Sequence, residues 1–253
     1  MRSEHRSVTM LTSISTEPRS DRPDSQDAPL LPDLVVIDLL GALILERPRA
    51  AACLATALDD ADLHAEPEDI AELVSGPIRP GLNLWISRRL RLAPDVIRPL
   101  VAAIATNFQD RFLESLELHP TLQIRAGTST LLAELAAEGI HIGVDSELDG
   151  VLAAALIRRA GWAGTGLIEA VVGPDEVLVP RPGPAQIEEI RRRCGLGPDA
   201  RVTKVVASAT DAQAARLAGC EHIYSITPDL VVGLEPVSDL GELAERILQR
   251  ELV

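Results

Sequence analysis

The sequence predicts an α/β fold: a doubly wound parallel sheet with a helical cap inserted after the first strand. Two patterns lead to this prediction. Residues 34–40, LVVIDLL, form a short β-branched run that is apolar on both faces, as is typical of a central strand in a parallel sheet. After residue 120, strand patterns alternate with helical patterns, which indicates a parallel sheet covered by helices.

The segment between these two patterns is predicted to be helical throughout. Within residues 47–119, apolar side chains recur three and four positions apart. Pro94 suits the first turn of a helix. Breaks between helices are expected at 76–77 and at 80–81, where Pro and Gly are adjacent. We therefore expect 47–119 to form a cap, and the core to comprise residues 32–46 and 120–253.

Four further strands and five helices are expected to complete the core. The predicted strands cover residues 139–146, 167–173, 202–208 and 222–226. The predicted helices cover residues 128–138, 148–160, 184–194, 211–218 and 238–248. Ligands of open α/β sheets bind at the carboxyl ends of the strands, so functional residues are expected there.

The composition argues against several classes of function. The 253 residues include 38 acidic residues and 24 Lys or Arg, which give a net charge of −14. Nucleic-acid binding needs a basic surface, and no apolar run approaches the roughly 18 residues of a membrane span. We therefore predict a cytoplasmic protein with neither a nucleic-acid nor a membrane partner. Residues 1–31, which are rich in Ser, Thr, Asp, Arg and Pro, are predicted to be a disordered tail.

Cysteines and histidines give no metal-binding signature. Cys53, Cys194 and Cys220 are scattered along the chain without CxxC spacing, and no close histidine partner is expected for them. We therefore expect three reduced thiols rather than a disulfide framework or a zinc site. The histidines are isolated, and His141, inside a predicted strand, is not expected to bind metal. The sequence predicts no metal ligands.

Polar residues lie in a characteristic order near the carboxyl ends of the predicted strands. Asp38 lies in VVIDLLGALIL, Ser146 in GIHIGVDSELDG, Arg181 in VPRPGPAQI and Asp211 in VVASATDAQAARLAG. Their order, spacing and flanks resemble those of the haloacid dehalogenase (HAD) superfamily over about residues 33–250, and its phosphonatase-like hydrolase branch in particular. The resemblance implies that Asp38 is the nucleophile and that the other three residues are catalytic.

The sequence departs from this family at three positions that carry its chemistry. Leu40 stands where the family's phosphatases have a second, acid/base Asp, and Ala42 replaces the Thr of the turn. Ala207 replaces an Asp that binds Mg²⁺ in the family. Because Mg²⁺ needs carboxylate oxygens, no cofactor is predicted, and Mg²⁺ is kept only as a weaker alternative. Residues 47–119 contain no lysine, which argues against the Schiff-base chemistry of phosphonatases.

These departures favour a non-catalytic member of the family that binds a ligand or a protein. The alternatives are a metal-independent hydrolase, dehalogenase-like or phosphonatase-like, with Asp38 as nucleophile, and a weak Mg²⁺-dependent phosphatase. Gly41, Arg88, Arg89 and Ser208 are predicted to bind an anionic small molecule. The arginines of the cap are equally suited to an acidic protein partner.

Each candidate catalytic residue also has a structural explanation. Asp38 can be an inherited residue whose carboxylate is capped by N–H groups of the turn at Gly41. Ser146 and Asp211 can each cap the start of a helix. Arg181 is expected to pair with Asp38 or Asp211 whether or not the site is catalytic.

Overall fold

One parallel sheet of six strands organises residues 31–227 and 234–249, which the computed structural model describes. The spatial order is β3-β2-β1-β4-β5-β6. The strands are β1 (Leu34–Asp38), β2 (His141–Asp145), β3 (Ala170–Val172), β4 (Val202–Val206), β5 (His222–Ser225) and β6 (Glu235–Pro236). The predicted tail lies outside the described residues except for Leu31, which packs against the core.

Nine helices accompany the sheet in the described ranges. Four precede β2 in the chain: α1 (Arg47–Asp59), α2 (Pro67–Leu73), α3 (Ile78–Arg89) and α4 (Pro94–Leu118). The other five are α5 (Thr128–Ala137), α6 (Gly150–Arg159), α7 (Ala185–Arg193), α8 (Ala209–Leu217) and α9 (Leu240–Ile247). None of them combines the length and the apolarity that a membrane crossing requires.

The predicted fold class is confirmed, and the differences are local. The first is β3, which has three residues and is shorter than predicted. The second concerns Pro80, which lies within α3 and not between helices, since the first turn of a helix tolerates proline. The third is β6, whose two residues carry no recognisable pattern and were not predicted.

Arg49 holds together the two connections between the sheet and the helical insert, as we call residues 47–119. Its guanidinium contacts the Glu46 carboxylate at 2.7 Å and donates hydrogen bonds to three backbone carbonyls at the other end of the insert. Those carbonyls belong to Ser115, His119 and Thr121. The start and the end of the insert are therefore held next to each other.

Two polar contacts bind the insert to the carboxyl end of the sheet. Arg79 of α3 lies 3.1 Å from the carboxylate of Asp149, which precedes α6. The Thr210 hydroxyl, in the first turn of α8, donates to the carbonyl of Ser75. Helices α2 and α3 are thereby positioned over the strand ends where the candidate residues lie.

Candidate functional site

Three neighbouring strands place charged side chains on the same face of the sheet. Alternation along β1 puts Asp38 on the face of Leu34 and Val36, which pack in one hydrophobic cluster. Asp38 is paired in register with Asp145 of β2. Lys204 lies in the middle of β4 on the same face as Val202 and Val206, and its long side chain reaches the carboxyl end of the strands.

The guanidinium of Arg181 lies at the centre of this cluster. Its nitrogens are 2.8 Å from the Asp38 carboxylate, 2.7 Å from Asp145 and 3.3 Å from Asp211, and all four side chains are fully buried. The expectation that Arg181 pairs with Asp38 or Asp211 is therefore met by both residues, and Asp145 is a third partner.

Lys204 is a member of the cluster that the sequence analysis did not identify as functional. Its buried ammonium lies 3.0 Å from Asp145 and 2.9 Å from Asp211. One signal was available in the sequence, because Lys204 is the only lysine of the chain and interrupts an apolar strand, VTKVV. An isolated charge in such a strand must be paired, since burying it alone would be prohibitively unfavourable.

Arg47, the first residue of α1, is the third basic residue of the cluster. Its guanidinium lies 3.3 Å from Asp38 and 3.4 Å from Glu147, and it donates a 2.9 Å hydrogen bond to the carbonyl of Ala207. This is possible because Gly41, with φ +102°, leaves room: a Cβ there would lie 2.9 Å from the Arg47 guanidinium. The turn between β1 and α1 thus supplies a cation that no local sequence pattern reveals.

The acidic groups of the cluster outnumber its basic groups by one. It contains four carboxyl groups, those of Asp38, Asp145, Glu147 and Asp211, and three basic groups, those of Arg47, Arg181 and Lys204. Burial and the neighbouring Glu147 carboxylate raise the pKa of Asp38 to about 7. Burial also raises the pKa of Asp211 to about 7, although Arg181 and Lys204 oppose it. A raised pKa favours the protonated carboxyl group of Asp38, which is a poorer nucleophile than the carboxylate.

Asp145 behaves differently from the other two aspartates. Burial opposes its ionisation, but Arg181 and Lys204 outweigh that effect and lower its pKa. The pKa values of both basic groups are raised by the surrounding carboxylates despite burial, so both stay charged. The buried centre is thus a fixed array of ion pairs around Asp145.

The donor set does not fit Mg²⁺, the ion that the resemblance implies. Asp38, Asp145 and Asp211 do offer carboxylate oxygens within 4.8 Å of one another. However, nitrogens of Arg181 and Lys204 already lie between these groups, at the distances given above. A metal ion would have to displace two buried cations while meeting its own octahedral requirement.

Arg47 adds a second obstacle to a metal ion. The resemblance places the ion between Asp38 and residue 207, and here residue 207 is an alanine that offers only its carbonyl oxygen. Arg47 bridges that carbonyl and the Asp38 carboxylate with its two terminal nitrogens. A tethered guanidinium thus occupies the position at which the family's cation would bind.

The other predicted site residues have structural partners. Ser146 is fully buried and its hydroxyl accepts from the N–H of Leu148, so its predicted role as a helix cap is wrong: α6 begins only at Gly150. Ser208 caps α8 by accepting from the N–H of Asp211. Asp211 lies within the first turn of α8, and the prediction that it caps the helix is also wrong.

A cleft of about 530 Å³ separates the insert from the sheet end. Its sheet side is formed by Arg181, Pro182 and Thr210. Its insert side combines apolar residues such as Leu84 and Trp85 with four charged residues, which are Asp69, Glu72, Arg88 and Arg89. Asp38 does not line this cleft and has no exposed surface. The predicted nucleophile and the cavity are therefore separated by the Arg181 segment.

Arg88 and Arg89 both line the cleft but differ in their surroundings. Arg89 forms an ion pair with Asp69, and its guanidinium lies 4.7 Å from the centre of the Trp85 ring. Arg88 contacts no acidic group among the described residues and is exposed. Arg88 is the cation of this pair that is available to a ligand.

Comparison with known proteins gives structural but not sequence relatives. No family model and no curated protein sequence matches the chain. CbbY from Rhodobacter sphaeroides in complex with phosphate aligns with TM-score 0.66 at 20% identity, covering 84% of this chain and 96% of that one. A hydrolase from Pseudomonas syringae aligns with TM-score 0.72 at 16% identity, covering 87% and 100% of the two chains.

A third structure carries the name that the sequence motifs suggest. A HAD-superfamily hydrolase from Ehrlichia chaffeensis aligns with TM-score 0.55 at 17% identity and covers 88% of this chain and 98% of that one. The chain has the fold of HAD-like hydrolases. At these identities the likeness shows the fold alone, and a shared fold does not establish a shared activity.

Lys204→Met tests whether the cluster depends on its internal cations. The substitution leaves Asp145 and Asp211 buried with one cation fewer, and we expect it to lower the free energy of unfolding by about 3–5 kcal/mol. Urea unfolding at pH 7 measures this change. Arg192→Ala, which removes a pair from a side chain that is 72% exposed, is the control and should lose less than about 1 kcal/mol. Equal effects of the two substitutions would contradict this role of Lys204.

Proposed function

We propose that this protein is a non-catalytic, metal-independent member of the HAD-like fold class that binds an anionic small molecule in the cleft. The observation that carries the proposal is the enclosure of Asp38. Its carboxylate has no exposed surface and is held by Arg181 on one side and Arg47 on the other. A nucleophile needs an unshielded oxygen aimed at the substrate.

The internal cations support metal independence. In phosphoryl transfer, a metal ion offsets the repulsion between an anionic nucleophile and an anionic substrate. Here the compensating charges are covalently part of the chain, on Arg47, Arg181 and Lys204, and each already has carboxylate partners. They therefore stabilise the folded cluster rather than an incoming phosphate.

The cleft has the features of a ligand site without a reacting centre. Leu73, Leu84 and Trp85 provide an apolar wall, and Arg88 provides a cation without an acidic partner among the described residues. CbbY, which shares the fold, was crystallised with phosphate. We propose a ligand with an apolar body and one anionic group that pairs with Arg88.

A metal-independent hydrolase is the second candidate. It is favoured by one observation: the Asp38–Arg181 pair is intact, and the buried cations make a metal ion unnecessary for charge balance. For this activity the insert would have to move away and expose Asp38, which requires breaking the contacts of Arg47 and Arg79.

Turnover of p-nitrophenyl phosphate and 2-chloropropionate, each with Mg²⁺ and with EDTA, separates the candidates. We expect the wild type and Asp38→Asn to be indistinguishable in all conditions, because Asp38 does not react. Activity that survives EDTA and disappears in Asp38→Asn would instead establish the metal-independent hydrolase. Activity only with Mg²⁺ would contradict metal independence.

Binding of phenylphosphonate, a probe that is not hydrolysed, tests the cleft. Trp85 lines the cleft, so its fluorescence should change on binding. Arg88→Ala should weaken binding about tenfold or more, since it removes a charge-assisted contact. Arg91→Ala is the matched control, because Arg91 is exposed on the same insert but does not line the cleft. Equal loss in both variants, or none in Arg88→Ala, would contradict this ligand site.

A further inference from the structure

A group of three side chains of metal-binding types lies at the opposite end of the sheet from Asp38. His141 is the first residue of β2, Glu169 immediately precedes β3, and Cys194 immediately follows α7. Each offers one donor atom, and these atoms all lie within 4.8 Å of one another. His141 was predicted to be isolated, but in the structure it lies close to Cys194, which is far from it in the sequence.

The packing of α7 explains why these distant residues meet. The helix starts beside the carboxyl ends of the strands and runs back along the sheet. Ile190 packs so closely on Gly143 that a Cβ at this glycine would lie 2.1 Å from Ile190 Cγ2. Cys194 is one turn beyond Ile190, and His141 is two residues before Gly143 on the strand, so the two side chains reach the same edge.

Glu169 joins them through sheet pairing. Its backbone N–H donates to the carbonyl of Ile142, which places it beside the start of β2. Its carboxylate lies 2.8 Å from His141 Nδ1. Arg193, which precedes Cys194 in the chain, pairs with Glu176 and Glu189, and no ion pair between it and Glu169 is found among the described residues. Glu169 therefore faces a histidine and a thiol rather than a fixed cation.

Thiolate, imidazole and carboxylate are the three ligand types of protein zinc sites. A tetrahedral zinc ion, with bonds of about 2.0–2.3 Å, needs donors roughly 3–4 Å apart. The donors lie within 4.8 Å of one another, and the 2.8 Å contact between His141 and Glu169 would have to open slightly to admit the ion. The segment before Glu169 contains Gly161, Gly164 and Gly166, all in the left-handed conformation that glycine favours. All three donor side chains are partly exposed to solvent, which leaves a path for an ion.

We propose that His141, Glu169 and Cys194 form a binding site for zinc or a similar borderline divalent ion, with water as the fourth ligand. The site would fasten the three-residue strand β3 to β2 and to the end of α7. It lies at the other end of the sheet from the cleft and does not depend on the proposed function. Among the described residues, neither Cys53 nor Cys220 has a comparable set of donors.

Titration of the full-length reduced protein with Co²⁺, a spectroscopic substitute for zinc, tests the site. We expect one ion per chain with a thiolate-to-cobalt charge-transfer band. Cys194→Ser should abolish the band, and His141→Ala and Glu169→Gln should each weaken binding by at least about tenfold. Zn²⁺ should displace Co²⁺ and raise the melting temperature, because it binds only the folded chain.

Matched variants make the result decisive. Cys220→Ser removes another partly buried thiol and should leave the band unchanged, as should His222→Ala for the imidazole. A band that persists in Cys194→Ser would overturn the proposal. Cobalt binding without a thiolate band would also overturn it, because the ion would then occupy other donors. Asp38→Asn should have no effect on this titration, whichever function the cleft has.

Discussion

The contacts of Arg181 with three buried aspartates determine how the rest of the structure is arranged. This guanidinium joins the ends of β1 and β2 to the start of α8. Bringing these carboxylates together without cations would cost far more than the fold's net stability. Lys204 and Arg47 supply the remaining positive charge. Lys204 is positioned by β4, and Arg47 is positioned by the turn between β1 and α1.

These internal cations also bear on whether the cluster can hold a metal ion. The carboxylates around Asp38 would provide an environment for a metal ion if their oxygens were free. Here Lys204 and Arg181 occupy the space between them, and Arg47 bridges Asp38 and the backbone of Ala207. In the function that we propose, these charges stabilise the folded cluster and do not take part in catalysis. The cleft beside this cluster is lined by Arg181 but not by Asp38, which is why binding without turnover is the function that we propose.

The fold could be predicted from the sequence, but the contacts of several charged side chains could not. Hydrophobic patterns predicted β1 and the alternation after residue 120, because burial on both faces of a strand is a local property. The convergence of Asp38, Arg181 and Asp211 followed from the rule that parallel strands end at one edge. The role of Arg47 could not be predicted, since it depends on the path of a turn. Cys194 and His141, 53 positions apart in the chain, meet only through the packing of α7.

The central claim is that this chain's own cations occupy the place of a metal ion. A crystal of the protein soaked in Mn²⁺, with an anomalous difference map at the carboxyl end of the sheet, tests it directly. We predict no manganese within coordinating distance of Asp38 or Asp211, with the Arg47 guanidinium bridging Asp38 and the Ala207 carbonyl. A manganese peak between Asp38 and Asp211, with Arg47 displaced, would contradict the account.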